Sequence, residues 1–399
     1  MKPTTAIRFV AILIGIGAVI ALVAFAVSLG GQGTGGSERG SGNPFSALFP
    51  FLRGPEDSGS TQTPDAGGDE RPSGPVPRLR QVTPNPVSGA RFTKDSVIRY
   101  IEKETGHVYD VKPDSFDAVR ISNMTLPGME RIVWAGDTRF VAQFVVEGER
   151  VENVLGVIAT TAPEAAMTVA ALPGFDRAAA SADGKTLLTV TEAGDGARVE
   201  TIDAERPGSA RLIMSSPTRS WIPHIGGRDL LIATAPSAGI PGFLYILESG
   251  RPGAKVVGDV PGLMVLPSPD GRYVLYSGNT ESMVTTAIYD RNSGVTRTVP
   301  TATFAEKCAW FPEGEPRVFC GILKNVPRVD AWLLGLSSSS DDAWLIDPVS
   351  GISSRVFDFT TEGGISINLV NASVSPDGKY VIFQNKTDLS LWSLELVPR

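Results

Sequence analysis

Short runs of β-branched and aromatic residues alternate with polar turn residues from about Arg91 to the C-terminus. The clearest turn is Ser-Pro-Asp-Gly at 375–378, with a near copy at 268–271 and a diverged copy at 181–184. Proline presets φ at the first turn position, aspartate accepts hydrogen bonds from the following backbone, and glycine takes the corner with positive φ. The pattern predicts a tight turn followed by a strand at three pairs of residues: Asp183 and Gly184, Asp270 and Gly271, and Asp377 and Gly378.

The strands that follow these turns recur at a nearly constant spacing. Their predicted starts are separated by 43, 46, 43, 44, 44 and 63 residues and lie at Val97, Phe140, Thr186, Asp229, Tyr273, Arg317 and Tyr380. A period of about 40–45 residues with several strands per repeat is typical of β-propeller blades. We predict an all-β propeller over residues 91–399 with seven blades, or six if the N-terminal strands only complete the last blade. The final repeat ends before a fourth strand, so N-terminal residues are expected to close it.

The N-terminal residues are predicted to anchor the chain in a cell membrane as a single pass. Residues 9–29 carry no charge, are long enough to span a bilayer of about 30 Å as a helix, and follow Lys2 and Arg8. Because positive charge stays inside, we predict a cytoplasmic segment at 1–8, a transmembrane helix at 9–30 and an extracytoplasmic remainder. The alternative is a signal peptide cleaved near residue 26, although its apolar region would exceed the usual ~7–15 residues.

Residues 31–90 are predicted to be a disordered tether. Gly, Pro and Ser supply 28 of these 60 residues, a composition that buries too little apolar surface to offset chain entropy. One apolar stretch, 44–52, is interpreted either as an adhesive patch of the linker or as a docking motif.

The charge balance argues against nucleic acid as a main partner. The chain has 36 Lys and Arg against 43 Asp and Glu, a formal net charge of −7. A surface of that sign binds phosphate backbones poorly. We predict no nucleic-acid partner, and the sequence leaves a small-molecule ligand open.

The Ser-Pro-Asp-Gly hairpins, each followed by a β-rich strand, resemble the repeats of TolB-like, WD40-like propellers of bacterial envelopes. The resemblance covers about 91–399 and is strongest at 268–276 and 375–383. The order of anchor, tether and propeller is similar to that of bacterial single-pass propeller proteins. The resemblance implies a protein-interaction or scaffolding module with an envelope or membrane protein as its partner. TolB is soluble and has an additional α/β domain without a counterpart here, so a role in the Tol system is not implied.

Two cysteines are predicted to form a disulfide. Cys308 and Cys320 are equidistant from Gly314, the centre of a predicted hairpin, so they face each other across it. Opposed residues of a non-hydrogen-bonded pair have Cα atoms about 4.5 Å apart, within the disulfide range. In an oxidising compartment the bond would staple the fifth blade. A bulge in the turn would instead shift the register and leave two buried thiols.

No sequence motif indicates catalysis, a metal or a cofactor. His107 and His224 stand in different repeats, without a metal-ligand spacing or a Gly-x-Ser-x-Gly elbow. Asp341 and Asp342 lack the arrangement of a calcium loop, and turn capping accounts for them. We predict no catalytic, cofactor-binding or metal-binding residue.

The long interval of 63 residues indicates an insertion between the fifth and sixth blades, at about 324–342. Loops of this length in compact domains are usually functional or disordered. Four of its residues are predicted to form an apolar interface: Trp332, Leu333, Leu334 and Leu336. The alternative is that the insertion folds over its own blade or plugs the channel.

The sequence is compatible with two classes of function. The first is a membrane-tethered propeller that binds another envelope protein or a surface component without catalysis, alone or as the sensor subunit of a complex. The second is an extracytoplasmic hydrolase or lyase that uses carboxylates at the central channel. Clustered acidic residues with shifted pKa values at one mouth of the channel would favour the enzyme, and an apolar rim built from 324–342 would favour the binder.

Overall fold

The structure is a computed structural model that describes residues 77–146, 150–159, 167–248, 251–280 and 283–396. In this part of the chain, 28 strands form seven four-stranded antiparallel sheets. These sheets are the blades of a propeller, so the predicted all-β fold and the count of seven are confirmed. The predicted anchor at 9–30 lies outside the described residues, and within them no helix is long and apolar enough to cross a bilayer.

The N-terminal strand closes the ring of blades. Strand β1 (Leu79–Thr83) is the outermost strand of the seventh blade and places Leu79 opposite Leu394. The other strands of this blade, from the innermost outwards, are β26 (Leu369–Val374), β27 (Tyr380–Asn385) and β28 (Leu391–Glu395).

The propeller therefore begins twelve residues before the predicted boundary at 91. Strand β1 and most of β2 (Val87–Phe92) lie within the segment 31–90 that was predicted to be a tether. The prolines at 84 and 86 separate the two strands, and averaging the composition over 60 residues concealed these short apolar runs.

Blades one to three are built outwards from an innermost first strand. Their strands are β2, β3 (Ile98–Glu102), β4 (Val108–Val111) and β5 (Val119–Arg120); β6 (Met129–Ala135), β7 (Arg139–Val146), β8 (Arg150–Ile158) and β9 (Met167–Ala171); β10 (Arg177–Ala180), β11 (Thr186–Ala193), β12 (Gly196–Asp203) and β13 (Arg206–Ser216).

Blades four to six follow the same order. Their strands are β14 (Trp221–Gly226), β15 (Asp229–Thr234), β16 (Pro241–Glu248) and β17 (Arg251–Pro261); β18 (Met264–Pro267), β19 (Tyr273–Asn279), β20 (Val284–Asp290) and β21 (Val295–Val299); β22 (Cys308–Trp310), β23 (Val318–Leu323), β24 (Asp341–Ile346) and β25 (Ser353–Phe357).

The second strands begin within one residue of their predicted starts, because the turn residues mark them directly. Two assignments in the sixth blade were wrong. The cysteine hairpin belongs to the sixth blade and not the fifth, since the segment from Val87 to Arg120 is a complete first blade. The insertion lies inside the sixth blade, between β23 and β24, since these two strands pair along six residues each.

The apolar core lies between neighbouring blades. Tyr273 of the fifth blade stacks on Trp310 of the sixth with ring centroids 5.9 Å apart. Trp310 also donates a hydrogen bond from Nε1 to the Leu266 carbonyl, at 3.0 Å. Phe359 and Phe383, both fully buried, meet between blades six and seven with ring centroids 5.2 Å apart and ring planes inclined by 60°. Aromatic pairs of this kind contribute beyond the area they bury.

The two ends of the ring differ in their connections. The turns from first to second strand and from third to fourth strand lie at one end, which we call the hairpin face. The loops from second to third strand and the connections between blades lie at the other end, the insertion face. Both helices of the described residues lie on this face: a 3₁₀ helix (Ala305–Lys307) and α1 (Val329–Leu333).

Candidate functional site

The three predicted repeat turns share one hydrogen-bond pattern on the hairpin face. In the fifth blade, the Ser268 hydroxyl donates to Asp270 at 2.5 Å, and the Asp270 carboxylate accepts from the Arg272 N–H at 3.0 Å. The turns at 181–184 and 375–378 repeat these contacts. Gly271 has a φ of 75°, and an added Cβ would lie 2.5 Å from the carbonyl oxygen of Gly226 in the preceding blade. These turns therefore hold blades together.

The central channel opens at the hairpin face into a cavity of about 890 Å³ that is lined by residues of all seven blades, from first strands and the turns that follow them. Three of the four carboxylates that line it contact cations or backbone N–H groups. Arg99 binds Asp110 through two hydrogen bonds of 2.7 Å, and Arg91 lies 3.3 Å from Asp137. The hydroxyl of Ser181 and the N–H of Lys185 hold the pKa of Asp183 below its usual value. A general acid needs a raised pKa, whereas the pKa of Asp183 is lowered.

Cys308 of the predicted cysteine pair lines this cavity on the sixth blade. Cys308 lies opposite Cys320 in the register of β22 and β23, and a disulfide joins them with Cα atoms 4.1 Å apart. Both side chains are buried. The bond clamps the innermost pair of strands in the blade that carries the insertion.

The insertion folds back onto its own blade through Trp332. This side chain is fully buried, packs on Phe304 with centroids 4.6 Å apart, and donates from Nε1 to Asn368 at 3.0 Å. Leu333 is half-buried, while Leu334 and Leu336 are 74% and 77% exposed. Of the four residues predicted as an interface, the structure thus leaves two at the surface and uses Trp332 as an anchor.

A buried polar network fixes the base of the insertion. Lys307 and Asp341 are both fully buried and form an ion pair with Nζ–Oδ2 at 2.7 Å. Lys307 also donates to Asn368 and to the carbonyl of Leu369, and Asp341 accepts from the Leu369 N–H and the Ser339 hydroxyl. Asp341 had been assigned to turn capping, which is wrong: it begins β24 and neutralises a buried lysine. Asp342 pairs with Lys324 at 2.9 Å.

Five exposed apolar side chains lie on the loops from second to third strand of three consecutive blades, three of them in the insertion itself. We call them the apolar rim: Ile240 (60% exposed), Met283 (56%), Val326 (43%), Leu334 and Leu336. The loops of blades four and six touch directly, since Asp330 of α1 accepts a hydrogen bond from the Ala238 N–H at 2.8 Å. Exposed apolar side chains grouped on one face of a protein can mark an interaction site.

Sequence reasoning missed Ile240 and Met283. Each is an isolated apolar residue in a short predicted loop. Such a residue does not predict an interface until the fold shows that the three loops are neighbours.

The two histidines lie apart. His107 is half-buried on the first blade and its Nε2 lies 3.1 Å from the Thr125 hydroxyl oxygen. His224 is on the innermost strand β14, where burial lowers its pKa to about 4. Among the described residues, no group of three or more His, Cys, Asp or Glu side chains is placed to hold a metal ion.

Comparison with known proteins identifies the fold and goes no further. No protein-family model matches the chain. No curated protein matches it either. A solved oligogalacturonate lyase in complex with manganese is similar with a TM-score of 0.52 and 13% identity, over 80% of this chain and 93% of that one. The Swd1 β-propeller domain of Myceliophteria thermophila is similar with a TM-score of 0.50 and 10% identity, over 80% and 100%.

A chain of the mitotic checkpoint complex is similar with a TM-score of 0.50 and 10% identity, over 85% of this chain and all of that one. The fold is a WD40-like seven-bladed β-propeller. At these identities the fold is shared by a lyase and by a chain of a multiprotein complex, so function has to be argued from the site.

Proposed function

We propose that this chain is a protein-interaction propeller, tethered to the cell membrane by residues 9–30, that binds an envelope or membrane protein through the apolar rim. The observation that carries the proposal is the position of the rim, which joins three neighbouring blades on one face. The TolB-like character of the Ser-Pro-Asp-Gly repeats supports the placement in an envelope.

The rim is held in place before any partner arrives. Trp332 and the Lys307–Asp341 network anchor α1 from below, and the Asp330 carboxylate ties it to the loop of the fourth blade. A surface that is already ordered loses little conformational entropy on binding. Leu334 and Leu336 are the most exposed of the five rim residues and are expected to act as the central contacts.

Outside the buried Lys307–Asp341 ion pair, the enzyme hypothesis has one candidate acid among the described residues, Glu306. Burial raises the pKa of Glu306, while four basic side chains, Lys386, Arg131, Lys307 and Arg177, oppose that rise. Glycoside and related cleavage by side chains alone usually needs two carboxyl groups with different pKa values. The paired aspartates on the opposite face do not supply a second such group beside Glu306.

Co-purification from membranes after in vivo crosslinking tests the proposal. The Leu334→Ser/Leu336→Ser variant removes the two most exposed rim residues and leaves Trp332 untouched. The matched control is Val349→Ser/Ile352→Ser, which removes two exposed apolar residues (53% and 68%) from the hairpin face of the same blade.

We expect the rim variant to lose a crosslinked partner that the control variant keeps. Equal recovery of the same partner with both variants would refute the rim as the interface. Binding of the wild-type chain to protein-free lipid vesicles that depends on Leu334 and Leu336 would instead assign the rim to the membrane surface.

A further inference from the structure

A second feature of the insertion face is a group of basic side chains at the end of the central channel. Arg131 is on β6 and Arg177 begins β10, the innermost strands of blades two and three. Lys386 directly follows β27, and Glu306 is in the 3₁₀ helix immediately before β22. Innermost strands run from the insertion face to the hairpin face, so all four residues lie at the same end of the channel.

No carboxylate of the described residues forms an ion pair with these three cations. Among the described residues, no hydrogen bond or ion pair is formed by the side chains of Arg131, Arg177 or Glu306. Lys386 lies over the ring of Trp332, with Nζ 4.1 Å from its centroid. Its ammonium group donates no hydrogen bond to any described residue. By contrast, Lys307, the neighbour of Glu306 in the chain, forms an ion pair with Asp341.

The local charge is opposite in sign to that of the whole chain. Three cations and one carboxylate give the channel end a net charge of +2, in a protein with a formal net charge of −7. The charges interact: Arg177 lowers the pKa of Arg131, adding to the larger effect of burial, and Glu306 opposes both. A recess with walls of low dielectric and one sign of charge concentrates ions of the other sign.

We propose that the insertion-face end of the channel binds a small anion with at least two negative charges, carried on phosphate or carboxylate groups, between Arg131, Arg177 and Lys386. The planar guanidinium group binds both kinds of oxyanion through paired hydrogen bonds, and the lysine adds a point charge. Glu306 repels the anion and tunes its affinity. The site is separate from the apolar rim, so it stands or falls independently of the proposed docking function.

Isothermal titration calorimetry tests the site, with the full chain in a neutral detergent at low ionic strength and inorganic phosphate and citrate as separate probes. We expect saturable binding of at least one probe, and Arg131→Gln and Arg177→Gln are each expected to weaken it about tenfold. Arg211→Gln is the matched control, because Arg211 is exposed on the outermost strand of blade three. Phosphate binding alone would assign a phosphate ligand, and citrate binding alone a polycarboxylate.

The Glu306→Gln variant gives the sharpest check, because it should tighten binding several-fold, a gain that a folding defect cannot produce. No saturable heat with either probe would overturn the site. So would arginine variants that titrate like the Arg211→Gln control, or a Glu306→Gln variant that binds more weakly than wild type.

Discussion

Lys307 and Asp341 come from positions 34 residues apart and form an ion pair with Nζ–Oδ2 at 2.7 Å and no solvent exposure of either side chain. The pair connects the innermost region of the sixth blade to the strand that ends the insertion. Six further hydrogen bonds complete the network, which also includes Ser339, Asn368, Leu369 and Trp332. The insertion therefore has a fixed base, which is the physical ground for treating its exposed leucines as a preformed surface.

Breaking this ion pair on one side should cost much stability. Asp341→Ala leaves a buried ammonium without its counter-charge, and we expect the free energy of unfolding to fall by about 3–5 kcal/mol. The double variant Lys307→Met/Asp341→Leu removes both charges and should be less destabilised than Asp341→Ala. Denaturant unfolding measures both values; a double variant as unstable as the single one would show that the charges do not compensate each other.

Truncating the anchor should destabilise the chain far more than truncating the rim. Trp332→Ala removes a fully buried side chain, for which we expect a loss of about 3–5 kcal/mol. Leu334→Ala, at a side chain that is 74% exposed, should change stability by no more than about 0.5 kcal/mol. Equal losses in thermal or denaturant unfolding would mean that Leu334 is buried in solution.

The sequence predicted the repeating parts of this molecule well. The turns at Gly184, Gly271 and Gly378 recur because each needs a residue with positive φ, so spacing alone located seven second strands. It could not predict that Trp332 points inwards, because a tryptophan in a loop has the same local pattern whether it anchors or binds. The rim and the basic channel end are assembled from different blades, and only the closed ring brings those residues together.

The disulfide should account for part of the stability of the sixth blade. Cys308 and Cys320 close a short loop with a sequence separation of 12, and removing the bond by the double change to alanine should lower the free energy of unfolding by about 3 kcal/mol. Intact-mass measurement with and without reductant checks that the bond forms. Two free thiols in the native protein would contradict it.

Stability should fall in mildly acidic solution because of His224. Burial lowers its pKa in the folded chain to about 4, below the ordinary value of 6.5 expected after unfolding. The unfolded chain therefore takes up a proton first, so stability is complete above about pH 6.5 and declines by up to about 3 kcal/mol as pH falls towards 4.

Comparing His224→Gln with His107→Gln over this pH range isolates the effect, because the chain has only these two histidines. The first variant should lose most of the decline between pH 6.5 and 4, and the second should keep it. Parallel curves for His224→Gln and wild type would show that the His224 ring is hydrated in the folded protein.

Site-specific photocrosslinking in membranes is the most direct test of whether the insertion face binds a partner protein. A benzophenone amino acid replaces Leu336 on the apolar rim in one protein and Ile352 on the hairpin face of the same blade in another; both side chains are exposed, at 77% and 68%. We predict a discrete protein adduct from position 336 and none of the same mass from position 352. The same adduct from both positions, or an adduct from position 352 alone, would contradict the assignment of the insertion face as the binding surface.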